Sequence, residues 1–364
     1  MPLRTVIGDH GSAHKGRGAT LNPEGRFEKG LRVPVDDGWE TPLDEESGRP
    51  KTIVTAERVK SIISRNESPD IPFTCSINPY RGCEHGCIYC YARPSHAYLN
   101  LSPGLDFETR LFAKVNAAEK LREELARPAY ACSTITIGAN TDPYQPVERE
   151  WKITRSILEV AAECNQPVGI ITKNALVERD LDILGPMAQK GLVSVFVSVT
   201  TLDHDLARRM EPRASAPARR IQAIRTLSQA GVRVGVMVAP IVPLLTDSAT
   251  EQILEAAAEA GAKSAGYVLM RLPYEVKDLF RDWLMHHYPL KAEHVMSRVR
   301  QMRDGKENDP NFGSRMRGSG EFADLLAIRF NKACKRLGLN EHMRQLDVSQ
   351  FRRPRLDGQM DLFG

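Results

Sequence analysis

Three cysteines, Cys83, Cys87 and Cys90, stand in the string SINPYRGCEHGCIYCYARPSH with the spacing C-x3-C-x2-C. Thiolates this close along a chain can wrap one corner of an iron–sulfur cubane and leave its fourth iron without a protein ligand. A cluster that only carries electrons usually takes four protein thiolates, so a vacancy of this kind points to an iron that binds a second molecule. The other use of the same thiols is a zinc site completed by His85, His96 or Cys75. C-x3-C is an unusual zinc spacing beside C-x2-C, and structural zinc more often takes two separated ligand pairs. Cys75, Cys132, Cys164 and Cys334 are isolated and read as buried structural thiols.

The cysteines must be held by a fold, and the pattern around them names its class. Six short, nearly continuous apolar runs follow one another: FTCSI (73–77), STITIG (133–138), VGIIT (168–172), VSVFVSVT (193–200), VRVGVMVA (232–239) and SAGYVLM (264–270). Runs with no polar face predict strands buried on both sides. The segments between them read as helices. In Asp106–Arg127 apolar residues recur every three or four positions up to Pro128, which predicts one amphipathic helix. Three later helices stop at Gly191, Gly231 and Gly261, each followed closely by the next strand. Strands alternating with helices imply parallel βα units, closing into a partial or full barrel whose chemistry lies at the carboxyl ends of the strands. The cysteines follow the first strand, where such a loop belongs. Residues 1–50, polar and rich in Gly, Pro and Asp, read as an extended arm, residues 51–272 as the barrel core, 273–350 as a helical extension and 351–364 as a flexible tail.

With Tyr89 before its last cysteine, the triad resembles that of the radical S-adenosylmethionine (radical SAM) superfamily, C-x3-C-x-aromatic-C. TDPYQPVE (141–148) after a strand resembles the spore photoproduct lyase-like branch. NPYRGCEHGCIYCYARP and KGRGATLNPEGRFE (15–28) resemble an uncharacterised bacterial subgroup of it. The resemblance implies an α/β fold with a partial (β/α)6 TIM-like barrel, a 4Fe–4S cluster on Cys83, Cys87 and Cys90, and S-adenosylmethionine chelated by the open iron. The implied reaction is reductive cleavage of that cofactor to a 5′-deoxyadenosyl radical, fed by a low-potential donor of flavodoxin or ferredoxin type. Asn140, Thr141 and Asp142 stand where the family binds the cofactor's amino group. Lys173, after the third strand, is expected to pair with its carboxylate, Ser198 and Thr200 to meet its ribose, and Tyr89 to lie beside adenine. Glu148 and Arg213 are candidates for charge near the site. Spore photoproduct lyase returns hydrogen to its product from a cysteine after the second strand; the matching position here is Asn140.

The net charge is only +4, but residues 291–355 hold 15 Lys and Arg against 8 Asp and Glu. A basic region on a near-neutral body admits an anionic partner such as DNA or RNA. A nucleic acid is therefore the leading substrate class, with a peptide, protein or small metabolite as the alternative. A metal-binding module without catalysis is disfavoured by the barrel around the cysteines. The last residues, Gln359, Met360, Asp361, Leu362 and Phe363, resemble the peptide by which bacterial proteins dock on the DNA sliding clamp. No run of about 18 apolar residues occurs, and the N-terminus lacks a secretory apolar stretch, so the expected location is cytoplasmic.

Overall fold

A run of β-branched residues without a polar face has to be covered on both sides, and all six runs become strands of one sheet. The computed structural model describes residues 16–27, 50–341 and 345–355. In chain order its strands are β1 (Ile53–Glu57), β2 (Ile63–Arg65), β3 (Cys75–Ile77), β4 (Tyr80–Arg81), β5 (Arg110–Lys114), β6 (Ile135–Ile137), β7 (Val168–Thr172), β8 (Val193–Ser198), β9 (Arg233–Ile241) and β10 (Ser264–Leu269). The helices are α1 (Leu105–Thr109), α2 (Ala117–Ala126), α3 (Glu148–Trp151), α4 (Ile153–Glu163), α5 (Leu181–Gln189), α6 (His204–Met210), α7 (Pro217–Gln229), α8 (Thr250–Glu259), α9 (Val276–His287), α10 (Ala292–Gln301), α11 (Ser314–Arg317) and α12 (Glu321–Arg336).

The main sheet runs β10-β9-β8-β7-β6-β3-β2. Every pair from β10 to β3 is parallel, and β2 adds antiparallel to β3. The carboxyl ends of six strands therefore share one edge, with the cysteine loop leaving from the first of them. Among the described residues no strand joins β10 to β2, so the curved sheet is a partial barrel. Gly191, Gly231 and Gly261 all take positive φ at the helix ends where the sequence put them.

The single helix expected over 106–127 is instead α1, β5 and α2. Leu111 and Ala113 are buried on alternate positions of β5, which pairs parallel to β1 and antiparallel to β4 in a separate three-stranded sheet. A helical spacing of apolar residues also supplies some period-two positions. The distant partner β1 decides which is used.

The C-terminal helices are not an appendage. Val276, Leu279, Phe280, Trp283 and Leu284 of α9 and Val295, Met296 and Val299 of α10 share a second core with Ile88 and Tyr89 of the cysteine loop. The start of the expected flexible tail is also fixed. Phe351 packs on Tyr130 with ring centroids 5.5 Å apart, the Arg352 amide donates to the Cys164 carbonyl at 2.8 Å, and Arg353 donates to the Arg127 and Tyr130 carbonyls. These contacts lie at the amino ends of β6 and β7, away from the cysteines. Residues 356–364, with Gln359, Met360, Leu362 and Phe363, lie outside the described residues. Part of the basic charge of 291–355 is paired internally: Arg315 with Asp70 at 2.6 Å, Arg329 with Glu251 at 2.7 Å and Arg336 with Glu255 at 2.5 Å. Among the described residues no helix is long and apolar enough to cross a membrane.

Candidate active site

The loop that carries the cysteines has little regular structure of its own and is held from outside. Arg93, fully buried at the start of the 3₁₀ helix Arg93–Leu99, spends all five of its N–H donors on this task. Its Nε donates to the Cys87 carbonyl at 2.9 Å, Nη1 to the carbonyls of Pro103 (3.1 Å) and Gly104 (2.9 Å), and Nη2 to the Gly86 carbonyl (3.2 Å) and the Glu108 carboxylate. Glu108, also fully buried, accepts in addition from the amides of Gly18 (2.9 Å) and Ala19 (2.8 Å) of the N-terminal arm. The arm thus reaches the cysteine loop so closely that a Cβ on Gly18 would stand 1.8 Å from the Gly86 carbonyl oxygen. Gly86 itself has φ of +66°, and a Cβ there would stand 2.6 Å from Glu108 Oε2. Neither position tolerates a side chain.

Within this frame the three thiols are unoxidised, Cys83 and Cys87 buried and Cys90 half-buried. Burial raises the pKa of all three, and the negative charge each would place on another raises Cys83 and Cys87 further. The backbone at Asp142 works the other way on Cys83, and that at Ala92 and Arg93 on Cys90, without reversing the direction. Protons therefore stay on the thiols in the metal-free chain, and a metal would have to displace them. The alternative zinc ligands each have a protein contact, although Nδ1 of His85 and of His96 is buried without a hydrogen-bond partner. His96 Nε2 lies 3.0 Å from the Arg110 carbonyl, Cys75 lies in β3 accepting from Ser133 Oγ at 3.6 Å, and His85 is held between Asn174 (3.0 Å) and Asp142 (3.4 Å).

A buried charge network adjoins the loop. Glu211 pairs with Arg220, lies 3.5 Å from Lys173 Nζ, and accepts from Thr200 Oγ1 at 2.6 Å and from the Tyr89 hydroxyl. Lys173 also donates to the Ala239 carbonyl at 3.1 Å and stands 5.7 Å from the centre of the Tyr89 ring. Burial opposes ionisation of Glu211, but Arg220 and Lys173 outweigh it and hold the carboxyl well below the usual range. With a folded pKa below the unfolded one, its stabilisation is present above the ordinary value near 4.3 and is lost as pH falls. Glu211→Gln is therefore expected to flatten the stability–pH curve between about pH 5 and pH 3, read by thermal unfolding of the iron-free chain. A slope equal to wild type would remove Glu211 from this role.

Of the residues singled out in the sequence, the fold gathers Tyr89, Lys173 and Thr200 around Glu211, and the Ser198 carbonyl accepts from Arg220 at 3.1 Å. Asp142 anchors neighbouring loops, accepting from Thr172 Oγ1 (2.7 Å), the Lys173 amide (2.7 Å) and the Tyr144 amide (2.9 Å). Burial works against its charge, and His85 with these donors more than offsets that. Asn140 is exposed, and its amide and that of Thr141 donate to Asn78 Oδ1, while Thr141 Oγ1 turns to the Tyr80 carbonyl at 3.2 Å. Glu148 sits in a separate network with Arg179 (2.8 Å), and Arg213 pairs with Glu84 at 2.8 Å behind the cysteine loop. Sequence reasoning missed Glu211, Arg220, Arg93 and Glu108, because isolated charges in helical stretches read as surface.

Residues 77–257 match the Radical SAM superfamily. An uncharacterised protein of Mycobacterium tuberculosis is 35% identical over 298 residues, covering 78% of this chain and 86% of the relative. Another, from Methanocaldococcus jannaschii, is 26% identical over 223 residues, covering 61% and 80%. Among solved structures, spore photoproduct lyase complexed with dinucleoside spore photoproduct superposes with a TM-score of 0.56 at 16% identity, over 79% of this chain and 80% of that one. A double mutant of that lyase with bound AdoMet and the same dinucleoside gives 0.56 at 17%. The fold is thus that of spore photoproduct lyase, and the chain, with its cysteine loop at the carboxyl edge of a parallel sheet, belongs to the radical SAM superfamily and is a radical SAM enzyme.

Proposed function

We propose that Cys83, Cys87 and Cys90 hold a 4Fe–4S cluster and that the enzyme uses S-adenosylmethionine to abstract hydrogen from a nucleic-acid substrate. The observation that carries the cluster assignment is three free thiols in one loop at the carboxyl edge of the parallel sheet, Cys83 and Cys87 buried and Cys90 half-buried. When bound, the cluster supplies the electron that cleaves S-adenosylmethionine to methionine and a 5′-deoxyadenosyl radical. The chain's own residues bind and orient. Lys173 offers an ammonium to the cofactor's carboxylate, Asn140, Thr141 and Asp142 line the side assigned to its amino group, Ser198 and Thr200 the ribose side, and Tyr89 the adenine. Glu211 and Arg220 fix Lys173 and Tyr89 before either ligand arrives. Anaerobic reconstitution with iron and sulfide, followed by reduction in the presence of S-adenosylmethionine, is expected to yield 5′-deoxyadenosine. Zinc binding with no such product would overturn the assignment. The electron donor in the cell is of flavodoxin or ferredoxin type.

The substrate differs from that of the lyase that shares the fold. Cys132 precedes β6 and lies beside Gln166 at 3.6 Å, at the strand end remote from the cysteine loop, and the position after β6 is Asn140. An amide N–H is a poor hydrogen donor to a carbon radical. The purified enzyme is therefore expected not to repair spore photoproduct, and efficient repair in an anaerobic assay would refute this. For the partner, Gln359, Met360, Leu362 and Phe363 are assigned to the bacterial DNA sliding clamp. A peptide of residues 350–364 should bind the purified clamp and lose binding on Leu362→Ala with Phe363→Ala. Failure of both peptide and full chain to bind would end that assignment.

A further inference from the structure

Five Phe and Tyr side chains are exposed among the described residues: Phe27, Tyr91, Tyr98, Tyr274 and Phe312. Each lies beside a guanidinium. Arg26 stands 4.7, 5.3 and 4.3 Å from the ring centres of Phe27, Tyr98 and Tyr274, Arg271 stands 6.0 Å from Tyr91, and Arg315 stands 4.6 Å from Phe312. They are gathered at one place by the exit of β10. Tyr274 meets the arm and the 3₁₀ helix there, and Arg271 reaches the residue that follows Cys90. Arg303 ties α11 to the same exit, donating to the carbonyls of Ser314 (3.0 Å) and Arg315 (2.9 Å) and to that of Met270 (2.8 Å).

Folding accounts for part of this set, since Phe27 packs on Tyr98 with centroids 4.9 Å apart and the Tyr91 hydroxyl donates to the Ala139 carbonyl, but Tyr98 remains 71% and Tyr274 64% exposed. Arg26 and Arg315 have carboxylate partners in Glu275 and Asp70. Arg271 has none among the described residues; its Nη1 meets the Met316 sulfur at 3.6 Å, and its Nε is buried without a hydrogen-bond partner. Exposed rings interleaved with planar cations, and a guanidinium with N–H donors to spare, form the chemistry that stacks unpaired bases and neutralises phosphodiesters. An acidic peptide is the competing ligand, and the test separates the two.

We propose that this rim binds single-stranded DNA or RNA and presents one nucleotide to the cysteine loop past Tyr91. The proposal deepens the nucleic-acid reading given above and rests on it. It is tested on the full-length, anaerobically reconstituted enzyme by fluorescence anisotropy with labelled single-stranded DNA and RNA of about a dozen nucleotides. A duplex of the same sequence and an unstructured acidic peptide serve as competitors. The expected result is salt-dependent binding of single strands over duplex and peptide. Tyr98→Ala with Tyr274→Ala should weaken it roughly tenfold or more, and Arg271→Gln should reduce the salt slope by about one. Ile328→Ala, exposed on α12, should bind as wild type. Absence of binding, a preference for duplex or peptide, or unchanged affinity in both rim variants would overturn the proposal. Cofactor cleavage measured on the same preparation separates the two claims: an enzyme that forms 5′-deoxyadenosine but binds no oligonucleotide sinks the rim and leaves the radical chemistry standing.

Discussion

Cys87→Ala is expected to give a folded, colourless chain that forms no 5′-deoxyadenosine. Two thiolates cannot hold a cubane against loss of the iron they leave uncovered, and Cys87 lies deepest in the charge network, where Lys173 and Glu211 both act on its sulfur. Cys83→Ala and Cys90→Ala should likewise form no 5′-deoxyadenosine, with the iron–sulfur absorption abolished or reduced to that of a degraded cluster. The remaining thiols serve as internal controls. Cys75 and Cys334 are buried in the main core, and Cys132 packs against it beside Gln166, so their alanine variants should keep the colour. Four irons per chain in Cys87→Ala would show that the loop does not bind the cluster through these three sulfurs.

The second large effect lies on a residue that touches no ligand. Arg93→Ala removes five hydrogen bonds at once and leaves Glu108 as a fully buried carboxylate that keeps the Gly18 and Ala19 amides and the nearby Arg17 guanidinium but loses its ion-pair partner. Breaking a buried pair in this way costs about 3–5 kcal/mol, far above a typical point substitution. Chemical unfolding of the iron-free chain should show that loss, together with poor iron retention on reconstitution. Arg93→Lys should be intermediate, because an ammonium can answer Glu108 but cannot span four carbonyls with three donors. A loss below about 1 kcal/mol for Arg93→Ala would mean that the loop is held by other contacts.

The pattern of what the sequence disclosed follows from how each signal is written in it. β7 has the bounds read from VGIIT, and the other five strands fall within or close to their runs, because apolar continuity and a following glycine are local properties. The cysteine spacing is local too. The three-stranded sheet was hidden because β5 depends on β1, and nothing near Leu111 records that partner. Glu211, Arg220, Arg93 and Glu108 were hidden for a related reason. A charged residue is taken for surface until the fold supplies its counter-charge, and each of these finds that partner across a turn, a loop or the next helix. Lys173 and Thr200 were found as residues at strand ends, yet their shared attachment to Glu211 emerges only in three dimensions.

Among the described residues the two edges of the main sheet are not joined by backbone. A side-chain pair spans them: Asp70, beyond β2, meets Arg315 of α11 at 2.6 Å, while the arm is tied separately to α9 through Arg26 with Glu275 at 3.1 Å and Thr20 with Asp282. The Arg315 and Asp70 side chains are only 14% and 9% exposed, and a pair this far out of water is screened little as the screening length falls from about 10 Å at 0.1 M to 3 Å at 1 M salt. Salt strong enough to strip an anionic strand from the surface therefore leaves this clasp shut, so a bound oligonucleotide can be washed away without opening the barrel.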